Sequence, residues 1–114
     1  MKKVLFICEY NMQRSPTAAE LYKDKYETQS AGASNFKKDH QYTQEILDWA
    51  DEIYVMEKPQ RNKIRKVAEE IYKNKKITCL YIPDEYDYME PRLIKILEER
   101  LTKYLGPLTK TEKS

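Results

Sequence analysis

Short apolar runs alternate with longer amphipathic segments along the whole chain, and this alternation is the feature that most constrains its fold. Strand–helix alternation is typical of a parallel sheet with helices on both faces. We therefore expect an α/β protein with three α/β/α layers and a four-stranded parallel sheet. The predicted strands are 3–8, 28–31, 52–56 and 76–82, and the predicted helices are 16–25, 42–50, 59–72 and 91–104.

The segment after Pro59 has the clearest helical periodicity. Its apolar residues recur at spacings of three and four, which places them on one face of a helix. The pattern predicts one continuous amphipathic helix. The residues of this stripe are Ile64, Val67, Ala68, Ile71 and Tyr72.

The chain length and charge indicate one small domain with a charged surface. With 114 residues, we expect a single domain over 1–106 and a flexible tail over 107–114. The net charge is only +2 and both signs are interspersed, which argues against a nucleic-acid-binding face. No apolar run reaches the length of a membrane span, so no membrane contact is expected. The sequence leaves the oligomeric state open.

Cysteine usage indicates a reducing compartment and no metal site. There are two cysteines, Cys8 and Cys79, and the apolar run after Lys2 and Lys3 is shorter than that of a signal peptide. We therefore expect a cytoplasmic protein. The two cysteines and His40 do not have the spacing of zinc ligands, so no metal or other cofactor is expected.

The most informative motif is Cys-x5-Arg-Ser, from Cys8 to Ser15. It follows a predicted strand, and Ser15 and Pro16 are predicted as the N-cap and first residue of a helix. The backbone N–H groups of such a loop, together with the helix dipole, favour binding of a tetrahedral oxyanion, so we expect a phosphate-binding loop after the first strand. The same positive field stabilises a thiolate, which would make Cys8 a nucleophile.

A carboxylate far along the sequence is expected at the same site. Ligands bind at the carboxyl ends of the strands in parallel sheets. Cys8 ends the first predicted strand, and Asp84 follows the fourth. The two residues are therefore expected to converge.

These residues resemble the low-molecular-weight protein tyrosine phosphatases, most closely a short bacterial branch. The family fingerprint is a strand that ends in Cys-x5-Arg-Ser-Pro near the start of the chain. The likeness extends over nearly the whole chain, from Lys3 to Leu105. Further matching segments are Ser30–Gly32, Asp51–Met56 and Ile82–Tyr86.

The resemblance implies a metal-independent phosphomonoester hydrolase that works through a phosphocysteine. Its substrate would be a phosphotyrosine-containing protein or a small aryl phosphate. Cys8 would attack phosphorus, and Ser15 would donate a hydrogen bond to the departing thiolate. Asp84 would be the general acid, with Asp87 as the fallback.

The resemblance also implies a set of binding residues. The guanidinium of Arg14 would pair bidentately with phosphate oxygens, and Asn11 and Ser30 would brace the loop by hydrogen bonds. Tyr86 and Tyr88 would flank the pocket and stack on an aryl group. The loop residues whose backbone N–H groups would bind phosphate are Glu9, Tyr10, Asn11, Met12, Gln13 and Arg14.

Two other functions remain open on the same sequence. Arsenate reduction needs additional cysteines, and only Cys79 is available. A non-catalytic oxyanion-binding module is the other alternative, because Glu9 is acidic and Tyr10 stands where the family usually has a small residue. Gln13 replaces a second loop cysteine of some members.

Overall fold

The computed structural model describes residues 1–34 and 38–108. Its centre is a four-stranded parallel sheet with the strand order β2-β1-β3-β4. The strands are β1 (Lys3–Cys8), β2 (Glu27–Gly32), β3 (Glu52–Val55) and β4 (Lys76–Cys79). The helices are α1 (Arg14–Tyr22), α2 (Gln44–Trp49), α3 (Lys58–Val67), α4 (Glu69–Asn74) and α5 (Pro91–Leu105), with a short 3-10 helix at Lys38–His40.

Alternating side chains of β1 build the two cores. Val4 and Phe6 belong to the core under α1 and α5, whereas Leu5 and Ile7 belong to the core under α2, α3 and α4. The predicted three-layer α/β/α fold is therefore confirmed. α5 seals its face with four leucines at a spacing of four, each contributing about 1.5–3 kcal/mol by burial; they are Leu93, Leu97, Leu101 and Leu105.

The prediction of one continuous helix after Pro59 is wrong. The segment is two helices, α3 and α4, separated at Ala68, whose φ of −147° and ψ of 62° are not helical. The break leaves Val67 58% exposed while Ile64 and Ala68 stay buried. The apolar spacing continues across the break, which is why the pattern predicted one helix.

The C-terminal end departs in part from the predicted tail. Lys25 Nζ donates to the carbonyl of Pro107 at 3.0 Å, and Leu108 packs against the core. Packing therefore continues past Gly106, and the rest of the predicted tail, 109–114, lies outside the described residues. Within the described ranges, no helix combines the length and apolar character that a bilayer crossing requires.

Candidate active site

The segment Cys8–Ser15, here called the phosphate loop, connects β1 to α1 at the carboxyl edge of the sheet. Its backbone lies against Gly32 at the end of β2. A Cβ on Gly32 would lie 3.1 Å from the Glu9 carbonyl oxygen and 3.1 Å from the Tyr10 carbonyl carbon. The N–H of Ala33 donates to the Cys8 carbonyl at 2.9 Å. Glycine at this position lets the second strand support the loop closely.

Cys8, Asn11 and Ser15 form a hydrogen-bonded cluster inside the loop. Cys8 Sγ and Ser15 Oγ are 3.0 Å apart, and Ser15 Oγ donates to Asn11 Oδ1 at 3.0 Å. Asn11 has a φ of 57°, a left-handed conformation that asparagine tolerates better than most residues. Both Cys8 and Ser15 are buried. The loop therefore presents its thiol beside a hydroxyl that can accept from the thiol or donate to a thiolate.

Ser15 is not the helix N-cap that the sequence predicted. α1 begins at Arg14, and Gln13 stands at the N-cap without a side-chain capping bond. The hydroxyl of Ser15 instead points to Cys8, Asn11 and the carbonyl of Ala31, which is 3.4 Å away. The helix begins two residues earlier than predicted, so Ser15 lies in its first turn and its side chain is directed into the loop.

Arg14 is 1% exposed and is held by two acceptors. Its Nη1 donates to Glu57 Oε1 at 2.8 Å and to the carbonyl of Ile82 at 2.7 Å. Glu57 follows β3, and Ile82 follows β4. The ends of three strands therefore meet at this guanidinium, and a buried charge of this kind requires such partners.

The buried Nε of Arg14, unlike its Nη1, has no hydrogen-bond acceptor among the described residues. Asp84 Oδ1 lies 3.8 Å from Nε, which is an ion-pair distance but too long for a hydrogen bond. A buried donor without a partner is costly, so the Nε edge is suited to an anionic ligand.

Residues Pro83–Glu90, here called the acid loop, contain both candidate acids. Asp84 lies against Arg14. Asp87 lies in a turn with Glu90, in which the Asp87 N–H donates to Glu90 Oε1 at 3.1 Å. That hydrogen bond, and then Arg92, lower the pKa of Glu90. Of the two acids, the geometry brings Asp84 to the phosphate loop.

The remaining predicted site residues are distributed around this centre. The half-buried ring of Tyr86 packs on the core, with the Arg92 guanidinium 5.4 Å from its centroid. Tyr88 is exposed beside Pro16. Of the loop side chains between Cys8 and Arg14, those of Tyr10 and Met12 are exposed. Stacking of the two acid-loop tyrosines on a substrate stays a prediction.

The hydrogen bonds expected from Ser30 to the phosphate loop are not formed within the part of the chain that the structure describes. Ser30 lies in β2 and lines a surface depression with Pro16, Ala19 and Tyr88. The loop is braced instead by Ser15, Asn11 and the backbone after β2.

Sequence reasoning missed Glu57. It follows Met56, where the segment matched to the family ended, and it stands at the same edge of the sheet as Cys8 and Asp84. The rule that ligands gather at the carboxyl ends of parallel strands would have identified it. Gln60 supports Glu57, because Gln60 Oε1 accepts from the Glu57 N–H at 2.9 Å and Gln60 Nε2 lies 3.4 Å from Glu57 Oε1.

Several solved phosphatases have this architecture over nearly the whole chain. SP-PTP, a low molecular weight protein tyrosine phosphatase from Streptococcus pyogenes, matches with a TM-score of 0.75 and 20% identity, covering 98% of this chain and 96% of that one. The tyrosine phosphatase Wzb from Escherichia coli K30, in complex with phosphate, matches with a TM-score of 0.70 and 19% identity, covering 91% of this chain and 96% of that one. The YwlE arginine phosphatase from Geobacillus stearothermophilus matches with a TM-score of 0.66 and 22% identity, covering 90% of this chain and 92% of that one.

No family model and no curated protein matches the sequence. The structural matches nevertheless show that this chain has the fold of the low molecular weight protein tyrosine phosphatases, as the motif at Cys8–Ser15 led us to expect.

Proposed function

We propose that this protein is a cysteine-dependent phosphomonoester hydrolase acting on phosphotyrosine or another aryl phosphate. The observation that carries the proposal is Arg14, a buried guanidinium whose Nε has no hydrogen-bond partner among the described residues. It belongs to the same loop as the buried Cys8, and Asp84 Oδ1 lies 3.8 Å from it. These positions support Cys8 as the nucleophile, Arg14 as the donor to the anion and Asp84 as the acid.

In the first step, the Cys8 thiolate attacks phosphorus and forms a P–S bond as the P–O bond to the aryl oxygen breaks. The departing oxygen takes a proton from the Asp84 carboxyl group. The Nε edge of Arg14 and the N–H groups of the phosphate loop stabilise the charge on the equatorial oxygens. The products of this step are the phenol and a phosphocysteine.

In the second step, water attacks phosphorus and gives a proton to the Asp84 carboxylate. The P–S bond breaks, inorganic phosphate forms, and the electron pair returns to Cys8 Sγ. The Ser15 hydroxyl, whose Oγ is 3.0 Å from Cys8 Sγ, rotates from Asn11 Oδ1 and donates a hydrogen bond to the emerging thiolate. In this scheme the positive charge comes from Arg14 and the backbone, so the scheme itself calls for no metal ion.

The test is hydrolysis of phenyl phosphate, p-nitrophenyl phosphate and phosphotyrosine by the wild type, Cys8→Ser and Cys79→Ser. We expect turnover by the wild type and Cys79→Ser and none by Cys8→Ser. Full activity of Cys8→Ser would overturn the proposal. Because one structural neighbour is an arginine phosphatase, phosphoarginine belongs among the substrates tested.

The positions of the two cysteines favour hydrolysis over a thiol relay for arsenate. Cys8 belongs to the core under α1 and α5, and Cys79 to the core on the opposite face of the sheet. Arsenate reduction that depends on Cys79 would argue for the reductase. Phosphate binding without turnover of any substrate would argue for a non-catalytic module.

A further inference from the structure

One hydroxyl group connects the phosphate loop to the acid loop. Thr17 lies in the first turn of α1 with its side chain fully buried. Its Oγ1 donates to the carbonyl of Gln13 at 2.6 Å and accepts from the N–H of Met89 at 2.9 Å. Gln13 immediately precedes Arg14 in the phosphate loop, and Met89 lies near the end of the acid loop. A single side chain therefore fixes the spacing of the two loops.

The conformation of Met89 indicates that this end of the acid loop is constrained. Met89 has a φ of 59°, a left-handed conformation that costs about 1–2 kcal/mol for a residue with a Cβ. Such a conformation persists only where the surroundings hold it. The hydrogen bond from its N–H to Thr17 is a contact that holds it.

The N-terminal end of the acid loop is held by hydrogen bonds at Ile82. The Ile82 N–H donates to the Met56 carbonyl at 2.9 Å, and its own carbonyl accepts from Arg14 Nη1 at 2.7 Å. Asp84 therefore lies between two fixed points, one at Arg14 and one at Thr17. Between these points Asp84 and Asp87 are exposed and Tyr86 packs on the core, so the end contacts act together with Tyr86 to position the acid.

We propose that Thr17 is a positioning residue whose hydroxyl holds the acid loop against the phosphate loop and so sets the reach of Asp84 to the leaving oxygen. This inference rests on the proposed function, because it takes Asp84 as the general acid. A displacement of about 1 Å in a reacting group is enough to cost up to 10²-fold in rate. Thr17 itself does not touch the reacting atoms.

Two substitutions separate the hydroxyl from the rest of the side chain. Thr17→Val keeps the branched shape and removes both hydrogen bonds, whereas Thr17→Ser keeps the hydroxyl and removes a methyl group. We expect Thr17→Val to lower kcat/KM about tenfold with phenyl phosphate, whose leaving group needs the proton, and about twofold with p-nitrophenyl phosphate. The inhibition constant of inorganic phosphate should stay unchanged, and Thr17→Ser should match the wild type.

A purely structural role would give a different pattern. Equal losses of kcat/KM for the two substrates, weaker phosphate binding, or failure of Thr17→Ser to restore activity would overturn the proposal. Thr17→Ala removes the same hydrogen bonds and serves if Thr17→Val does not fold.

A double-mutant cycle tests the route through Asp84. If Thr17 acts through this acid, Thr17→Val should cost nothing further in an Asp84→Asn background. An additive loss would overturn the proposal. These outcomes are separable from the proposed function, because a wild type that hydrolyses neither substrate refutes that function itself, whereas an active wild type with additive losses refutes only the role of Thr17.

Discussion

The phosphate loop and the acid loop meet at Arg14, but they are held in different ways. In the phosphate loop, Cys8, Arg14 and Ser15 are buried, and the backbone lies against Gly32. In the acid loop, Asp84 and Asp87 are exposed. The phosphate loop is thus part of the core, whereas the acid loop is a surface segment whose contacts lie mainly near its ends.

Under the proposed function, this difference predicts that the phosphate loop binds the anion and the acid loop transfers the proton. A rigid, enclosed loop suits the binding of phosphate, because its donors are fixed before the anion arrives. Because the acid loop is held near its ends, Asp84 can lie beside the leaving group and still leave room for the substrate to enter. Changes in the phosphate loop should therefore impair binding and turnover together, and changes in the acid loop should impair turnover alone.

The largest effect on this contrast is expected from Arg14→Lys. A lysine keeps the charge but loses the planar fork, so we expect kcat/KM for phenyl phosphate to fall about 10³-fold and phosphate binding to weaken. Steady-state kinetics and phosphate inhibition measure both. Arg65→Lys, on the exposed side of α3, is the matched control and should behave as wild type. Unimpaired phosphate binding in Arg14→Lys would contradict these roles of the two loops.

Asp84→Asn should affect only the chemical step. We expect kcat/KM with phenyl phosphate to fall about 10²-fold, with a smaller loss for p-nitrophenyl phosphate and no loss of phosphate affinity. Asp87→Asn is the matched control, because Asp87 stands in a turn with Glu90. If Asp87→Asn lost the activity instead, the assignment of the acid would be wrong.

Gly32→Ala tests whether the phosphate loop depends on its support from β2. The new Cβ would lie 3.1 Å from the Glu9 carbonyl oxygen, so the loop must shift. We expect about tenfold weaker phosphate binding, the equivalent of about 1.4 kcal/mol. Gly106→Ala is the control: its φ of 83° makes the substitution strained, but it should lower only the melting temperature. Phosphate affinity unchanged in Gly32→Ala would show that the loop is less rigid than its burial suggests.

The smallest effect is expected from substitutions of Glu57, and the direction of the change in phosphate affinity distinguishes its two roles. Glu57→Gln keeps an acceptor for Arg14 Nη1 but removes a negative charge, so phosphate should bind up to about fivefold more tightly. Glu57→Ala leaves Arg14 with one acceptor fewer, so phosphate should bind more weakly and the protein should melt earlier. Inhibition by phosphate measures both variants, and a shift in the same direction for both would refute the positioning of Arg14 by Glu57.

Much of the fold and part of the site could be predicted from the sequence. The alternation of strands and helices was sufficient for the parallel sheet. The strand-end rule predicted that Asp84 lies at the edge of the sheet with the phosphate loop, and Asp84 Oδ1 lies 3.8 Å from Arg14 Nε. The helix break at Ala68 was not predicted, because no glycine or proline marks it and the apolar spacing continues through it. The bond between Thr17 and Met89 could not be predicted, because a hydroxyl carries no signal of the distant backbone group it will meet.

The most direct test of the central claim is to trap the phosphoryl group on the protein. Asp84→Asn should be mixed with p-nitrophenyl phosphate, quenched in acid within the first turnover, and mapped by mass spectrometry. This variant slows the second step, so one phosphoryl group should accumulate on Cys8. Turnover by the wild type with no phosphoryl group on Cys8 in the trapped variant, or with the group on another residue, would contradict the mechanism.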